Sequence, residues 1–192
     1  MVANKEELYS EIKGNKKQLI MNTALESFAE KGFYSTSINN IAKSANISKG
    51  LIYHYFRSKD ELLKTIIFDG FDKLFENFDE NKDGILQHSE LINYINFSFE
   101  SLEKNGHFWR LYFSLIFQPH VFDLVKNKLM EKIQPFSSML TDYFERNNYE
   151  DPEIETLFFF SVLDGVGVDY MAAPEYFPIE KLKKRILKIY DK

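Results

Sequence analysis

An all-α fold is predicted by three features of the sequence. Apolar residues recur at helical spacing along almost the whole chain. No stretch keeps the strict alternation of a half-buried strand. Glycines, prolines and short polar caps fall between the periodic stretches, where helices start and stop. Together they predict nine to ten helices, divided into a three-helix head over residues 1–60 and a larger helical domain over 61–192.

The first helix is expected from about Asn15 to Lys31, with Leu19, Ile20, Ala24, Leu25, Phe28 and Ala29 on one face and Gly32 as its stop. Ser35 or Thr36 then caps a short helix near 37–44, whose Ile38, Ile41, Ala42 and Ala45 point inward. Ala45-Asn46-Ile47 is a tight turn, and Ser48 caps a third helix reaching Tyr53–Tyr55. Ser58-Lys-Asp-Glu61 is a capping box, in which serine and glutamate satisfy orphan amides reciprocally. It opens a helix to about Phe78. After the polar break Asp79–Gly84, helices are expected near 88–104, 107–117, 121–133 and 136–146, with Pro119 and Pro135 separating them. Asp151-Pro152 starts another to about Ala172, and Pro178 the last, to about Tyr190.

Composition bounds the function. The chain has 192 residues, 44% hydrophobic and 28% charged, ordinary for a globular protein. Nineteen Phe and eleven Tyr suit a well-filled core, a large apolar pocket, or both. The absence of cysteine excludes disulfides and thiolate metal sites. The opening Met1–Leu8 has no apolar stretch of signal-peptide length, and Leu157–Leu163 is too short to span a bilayer, so a cytoplasmic protein without a membrane partner is expected. Net charge is −5, unevenly spread. Residues 1–60 carry nine Lys/Arg against six Asp/Glu, and 61–192 carry fifteen against twenty-three. A basic head on an acidic body fits nucleic-acid binding confined to one end.

The head has the layout of a helix-turn-helix. Ala42 and Ala45 are small enough for its second and third helices to cross closely, and Ile38, Ile41, Ile47 and Ile52 hold the third helix outward. That leaves Lys49, Gly50, Leu51, Tyr53 and His54 on a surface able to enter a major groove. An ordinary three-helix bundle shares this pattern, and Tyr53, Tyr55 and Phe56 equally suit a core.

The segments Gly32-Phe-Tyr-Ser-Thr-Ser37, Ile41-Ala-Lys-Ser-Ala-Asn-Ile-Ser-Lys-Gly50 and Tyr53-His-Tyr-Phe-Arg-Ser-Lys59 closely resemble the signature of TetR-family transcriptional regulators. The likeness runs from Lys16 to Leu62 without a gap; beyond it only length and helix order correspond. It implies that Thr36, Ser48, Tyr53, His54, Tyr55 and Lys59 contact phosphates, and that Asn39, Lys49, Gly50 and Leu51 face base edges. It also implies a repressor that binds double-stranded operator DNA as a homodimer and responds to a small ligand, with no cofactor required. Asn46 stands where the family usually has glycine; asparagine tolerates the left-handed conformation better than most residues.

Asp79-Glu-Asn-Lys-Asp-Gly-Ile-Leu-Gln-His-Ser-Glu90 matches the twelve-residue EF-hand loop throughout. Asp79, Asn81 and Asp83 take positions 1, 3 and 5, Gly84 the sharp turn, Ile85 the carbonyl position and Glu90 the bidentate one. Gln87 can act through a water, and Phe71, Leu74, Phe75 and Phe78 before the loop and Leu91, Tyr94 and Ile95 after it have the flanking pattern. The loop is a candidate Ca2+ site. The same residue types also gather in helix connections for turn reasons alone.

In the body, Phe97, His107, Trp109, Tyr112, Phe113, Phe117 and Tyr143 either line a ligand cavity or fill a solid core. A cavity there suits an apolar or aromatic effector, with His107, Gln118 and His120 as polar anchors. The resemblance implies a two-fold interface built from the last two helices, here with Phe158, Val162, Val166, Leu182 and Ile186. No nucleophile with its base, phosphate loop or HExxH pattern is present, so no enzyme is expected. The alternative from another class is a calcium-binding or calcium-sensing helical module without DNA affinity.

Overall fold

The computed structural model describes the backbone of residues 5–191 and the side chains of residues 14–191. The first four residues of the opening segment read for a leader lie outside that range. Among the described residues every regular element is a helix. They are α1 (Lys5–Lys31), α2 (Ile38–Ser44), α3 (Lys49–Tyr55), α4 (Lys59–Leu74), α5 (His88–Ile116), α6 (Pro119–Arg146), α7 (Pro152–Ala172) and α8 (Ile179–Tyr190). Nine to ten were expected and eight are described, because two expected breaks are bridged. α5 joins two of the expected helices across a kink at Asn105, whose φ of −123° and ψ of 23° leave the helical region at the expected boundary. α6 passes through Pro135, a residue expected to separate two helices. Proline removes one backbone hydrogen bond. Here packing on both sides outweighs that loss: Val125 and Leu129 are buried before it, Leu140 and Phe144 after it. Phe136, the next residue, lies with its ring 4.3 Å from that of Phe75.

The helix ends follow local chemistry. Gly32 adopts φ +83° and its N–H returns to the Phe28 carbonyl, closing α1. Ser37, and not the expected Ser35 or Thr36, caps α2 by accepting from Asn40 N, since the Thr36 hydroxyl is engaged by the Ser27 and Gly32 carbonyls; Ser48 caps α3 by accepting from Leu51 N. Asp151 caps α7 by accepting from Ile154 N at 3.2 Å. Ser58 accepts from Glu61 N at 3.0 Å as the capping box predicts. The reciprocal arm lands one residue earlier, since the Glu61 carboxylate accepts from Arg57 N at 2.6 Å.

The chain folds as two compact units, one reaching Gly70 and including Leu111–Val125, the other holding Phe71–Arg110 and Lys126 onward. In the first, Ile20, Ala24, Leu25, Phe28, Ile41, Ile52, Leu62 and Leu63 are buried together with Tyr112 and Leu115. Leu19, placed inward by periodicity, is instead exposed, and Met21 is buried. In the second unit the core is strongly aromatic, built on Phe78, Tyr94, Phe99, Tyr143, Phe144, Phe159 and Tyr190 with Leu86, Leu91 and Ile95. Edge-to-face pairs such as Phe78–Tyr94, with ring centroids 4.8 Å apart, fill it.

Candidate nucleic-acid interface

The turn between α2 and α3 is made by Asn46 at φ +52°, the left-handed conformation that its residue type was expected to supply. Behind it Ile41, Ala42 and Ile52 are buried, which fixes one side of α3 and leaves the other outward. Lys49, Gly50, Tyr53 and His54 on α3 are exposed, as is Asn39 on α2; Leu51 and Tyr55 are half-buried. Lys49 Nζ lies 5.5 Å from the Tyr53 ring centre, and the His54 and Tyr55 rings meet edge to face at 5.2 Å. A Cβ added to Gly50 would approach only Ser48 Oγ, at 3.8 Å, and the backbone there is not in the left-handed region. The fold therefore does not require glycine at position 50.

Two expected phosphate positions have internal work. Thr36 is 1% exposed, and its hydroxyl lies 3.0 Å from the Ser27 carbonyl and 2.9 Å from that of Gly32. Its side chain is turned into the head and away from the exposed α3 face. Lys59 Nζ donates to the carbonyls of Phe33 at 2.8 Å and Thr36 at 2.9 Å and sits 4.3 Å from the Phe33 ring centre. An ammonium has three donors, so one N–H of Lys59 remains for an external acceptor. Gln118, expected as a pocket anchor, accepts from Phe33 N at 3.2 Å and donates to the Phe28 carbonyl at 3.0 Å. Its amide is thereby spent on tying the α5–α6 turn to the end of α1. The sequence separations of 85 and 90 residues hid this role from the sequence.

The candidate pocket residues divide between the two units, Tyr112, Phe113 and Phe117 in one and Phe97, His107, Trp109 and Tyr143 in the other. Tyr112 is packed solid, with its hydroxyl donating to the Ile67 carbonyl at 2.9 Å. Trp109 Nε1 donates to Ser101 Oγ at 2.9 Å, and Tyr143 pairs with His88 Nδ1 at 2.8 Å. Phe117 is 67% exposed and His107 is exposed. An open surface groove does occur in the second unit, lined by residues of α6 and α7 that include Ser137, Thr141, Asp142, Glu153 and Thr156. Its hydroxyl-bearing lining was not anticipated. Of the expected dimer residues, Val166 and Ile186 are buried within their own unit's core, Val162 and Leu182 are half-buried, and Phe158 is exposed. The exposed large apolar residues of α7 are Ile154, Leu157, Phe158 and Val168, a stripe at helical spacing.

In the loop 79–90, Gly84 has φ +77° and donates to Asp79 Oδ2 at 3.0 Å. Glu90 is 6% exposed, and its two oxygens accept from Glu80 N and Gln87 N. Among the described residues no three His, Cys, Asp or Glu side chains are grouped to hold a metal. No described helix is long and apolar enough to cross a membrane.

Residues 20–66 match the model of "Bacterial regulatory proteins, tetR family". The HTH-type transcriptional regulator UidR of Escherichia coli K12 is 31% identical over 142 residues, covering 71% of this chain and 70% of UidR. The chain belongs to the tetR family. A second relative, the uncharacterized HTH-type transcriptional regulator YuxN of Bacillus subtilis, is 50% identical over 60 residues, which is 31% of this chain but only 21% of YuxN. Two solved structures share the fold. NalD, the secondary repressor of the MexAB-OprM multidrug efflux pump in Pseudomonas aeruginosa, superposes with a TM-score of 0.70 at 20% identity, covering 93% of this chain and 96% of NalD. FadR from Bacillus subtilis, solved with stearoyl-CoA, does so with a TM-score of 0.66 at 18% identity, covering 90% and 96%.

As a tetR-family member the chain is a DNA-binding transcriptional regulator and not an enzyme. The match over 20–66 covers α2, the turn at Asn46 and α3. A calcium module without DNA affinity finds no support.

Proposed function

We propose that the chain is a ligand-responsive repressor that binds a near-palindromic operator as a homodimer. Residues 1–60 grip DNA and 61–192 receive the effector and form the dimer. The observation that carries this reading is Gly50, a glycine in the first turn of α3 that neither backbone conformation nor packing demands. Glycine is a poorer helix former than alanine, by up to about 1 kcal/mol in a helix interior and less in a first turn. Close approach of the α3 backbone to DNA supplies a reason to keep it. Lys49, Asn39 and Leu51 then read base edges, while Ser48, Tyr53, His54, Tyr55 and the remaining N–H of Lys59 meet phosphates. Thr36 contributes by holding the head in shape.

The dimer reading rests on the exposed Ile154, Leu157, Phe158 and Val168 of α7. These need cover in water, and a second copy presents the same stripe. Two heads in a two-fold dimer require an operator with matching half-sites. A small apolar or aromatic effector is the ligand class proposed; FadR, a protein of the same fold, was solved with the acyl ligand stearoyl-CoA. Sedimentation of the full chain, alone and with a duplex drawn from upstream of its own coding sequence, tests the reading. It predicts a dimer that shifts with the duplex; a monomer, or no shift at low salt, contradicts it.

A further inference from the structure

We propose that residues 79–90, between α4 and α5, bind a divalent cation of the calcium class. The site is independent of the DNA interface.

The loop carries oxygen donors at alternate positions, Asp79, Asn81 and Asp83, then turns at Gly84. At Gly84 the φ of +77° demands glycine, although a Cβ would meet nothing within 4 Å. The glycine is there for backbone shape alone. Both ends of the loop are anchored: Phe78, Leu86 and Leu91 are fully buried, and Arg146 Nη2 donates to the Leu86 carbonyl at 2.9 Å. Between these anchors Asn81 and Asp83 are exposed. The ends are fixed while the donors can adjust.

One atom points to a ligand. Asp79 Oδ1 is shut off from solvent and has no hydrogen-bond partner, whereas Oδ2 of the same carboxylate accepts from Gly84 N. A buried carboxylate oxygen without a donor is costly, and a bound ion is among the few things that relieve it. Glu90 stands at the other end, in the first turn of α5, almost fully buried. Each of its oxygens accepts one backbone N–H, which leaves a lone pair on each for bidentate ligation.

The donor set selects the ion. Asp79, Asn81, Asp83, the Ile85 carbonyl and a bidentate Glu90 offer about six hard oxygens, and a water held by Gln87 adds one more. Calcium takes six to eight such ligands in flexible geometry, magnesium prefers tight octahedral sites rich in water, and zinc prefers nitrogen and sulfur. Asp79, Asp83 and Glu90 are not drawn into one group in this structure. Binding therefore closes the loop, tightening the connection between α4 and α5.

Calorimetric titration and thermal melting of the full chain test this. Calcium at about 1 mM is expected to release heat and raise the melting midpoint by on the order of 5 °C, while magnesium does markedly less. Asp79→Asn with Asp83→Asn keeps the side-chain volumes and is expected to fold in EDTA but lose the calcium shift. If that variant does not fold, terbium on the unaltered chain is the second measure: aromatic-sensitised emission displaced by calcium supports the site. No heat and no shift at 10 mM calcium overturns the proposal, as does absent terbium emission, an equal shift with magnesium, or an undiminished calcium shift in the folded variant.

Discussion

Lys59 and Thr36 are locked together at the base of the head: the Lys59 ammonium donates to the Thr36 carbonyl at 2.9 Å, while the Thr36 hydroxyl turns inward to Ser27 and Gly32. Lys59 begins α4 and Thr36 precedes α2, so this contact fixes the helix-turn-helix on the helix that follows it. Lys59→Met keeps the stem and removes the donors. Hydrogen bonds from a charged group are worth about 1.5–3 kcal/mol, reduced here by partial exposure to about 1–2 kcal/mol. Urea unfolding should show that loss, and DNA affinity should fall with it.

Gly50→Ala separates fold from function. The added methyl has room, so the melting midpoint should be unchanged or slightly higher. Operator affinity, read by fluorescence anisotropy, should fall about tenfold or more, equivalent to about 1.4 kcal/mol. An unchanged affinity would remove Gly50 from the interface.

Gly70 and Tyr112 give a packing test within the first unit. A Cβ at position 70 would stand 2.2 Å from Tyr112 Cε2, and the ring is held by its hydrogen bond to Ile67. Gly70→Ala should cost about 1–3 kcal/mol through overpacking, despite the better helix propensity of alanine. Combining it with Tyr112→Leu should recover part of that cost, measured as non-additivity in a double-mutant cycle.

Asn46 tests the turn. Its φ of +52° suits glycine better than any other residue. Asn46→Gly should leave thermal stability equal or raised, while Asn46→Val should lower it by about 1–2 kcal/mol.

Alkaline pH should weaken the second unit. Burial, then the nearby Asp164 charge, raises the Tyr94 pKa above its ordinary 10.0, and burial with the hydrogen bond to Glu155 raises that of Tyr190. A raised folded pKa gives stability that is full below the unfolded value and is lost as pH rises beyond it. Melting midpoints should therefore fall as pH passes above about 10, and Tyr190→Phe should flatten that decline.

Local chemistry made many of the caps and turns legible in advance. Gly32, Asn46, Ser48 and Asp151 do what their residue types and positions require, because caps and left-handed turns depend on a few neighbouring atoms. Periodicity likewise identified the buried Ile41, Ala42 and Ile52. What escaped depends on partners distant in the chain. Pro135 lies within a helix because Phe136 and its neighbours pack against aromatics from other elements. Gln118 reaches Phe28 and Phe33 across the sequence, and Thr36 faces inward because two carbonyls await it. The aromatics of the body suit both a pocket and a core by sequence alone; Tyr112 shows core packing.

The most direct test of the central claim is the salt dependence of operator binding by the full chain. Anisotropy titrations with the upstream duplex should give a log–log slope of about −0.9 for each phosphate contacted, with an unrelated duplex bound far more weakly. Lys49→Ala should relax the preference for the operator with only a small change in slope. Affinity that is independent of salt, or equal for both duplexes at every salt concentration, would contradict the account.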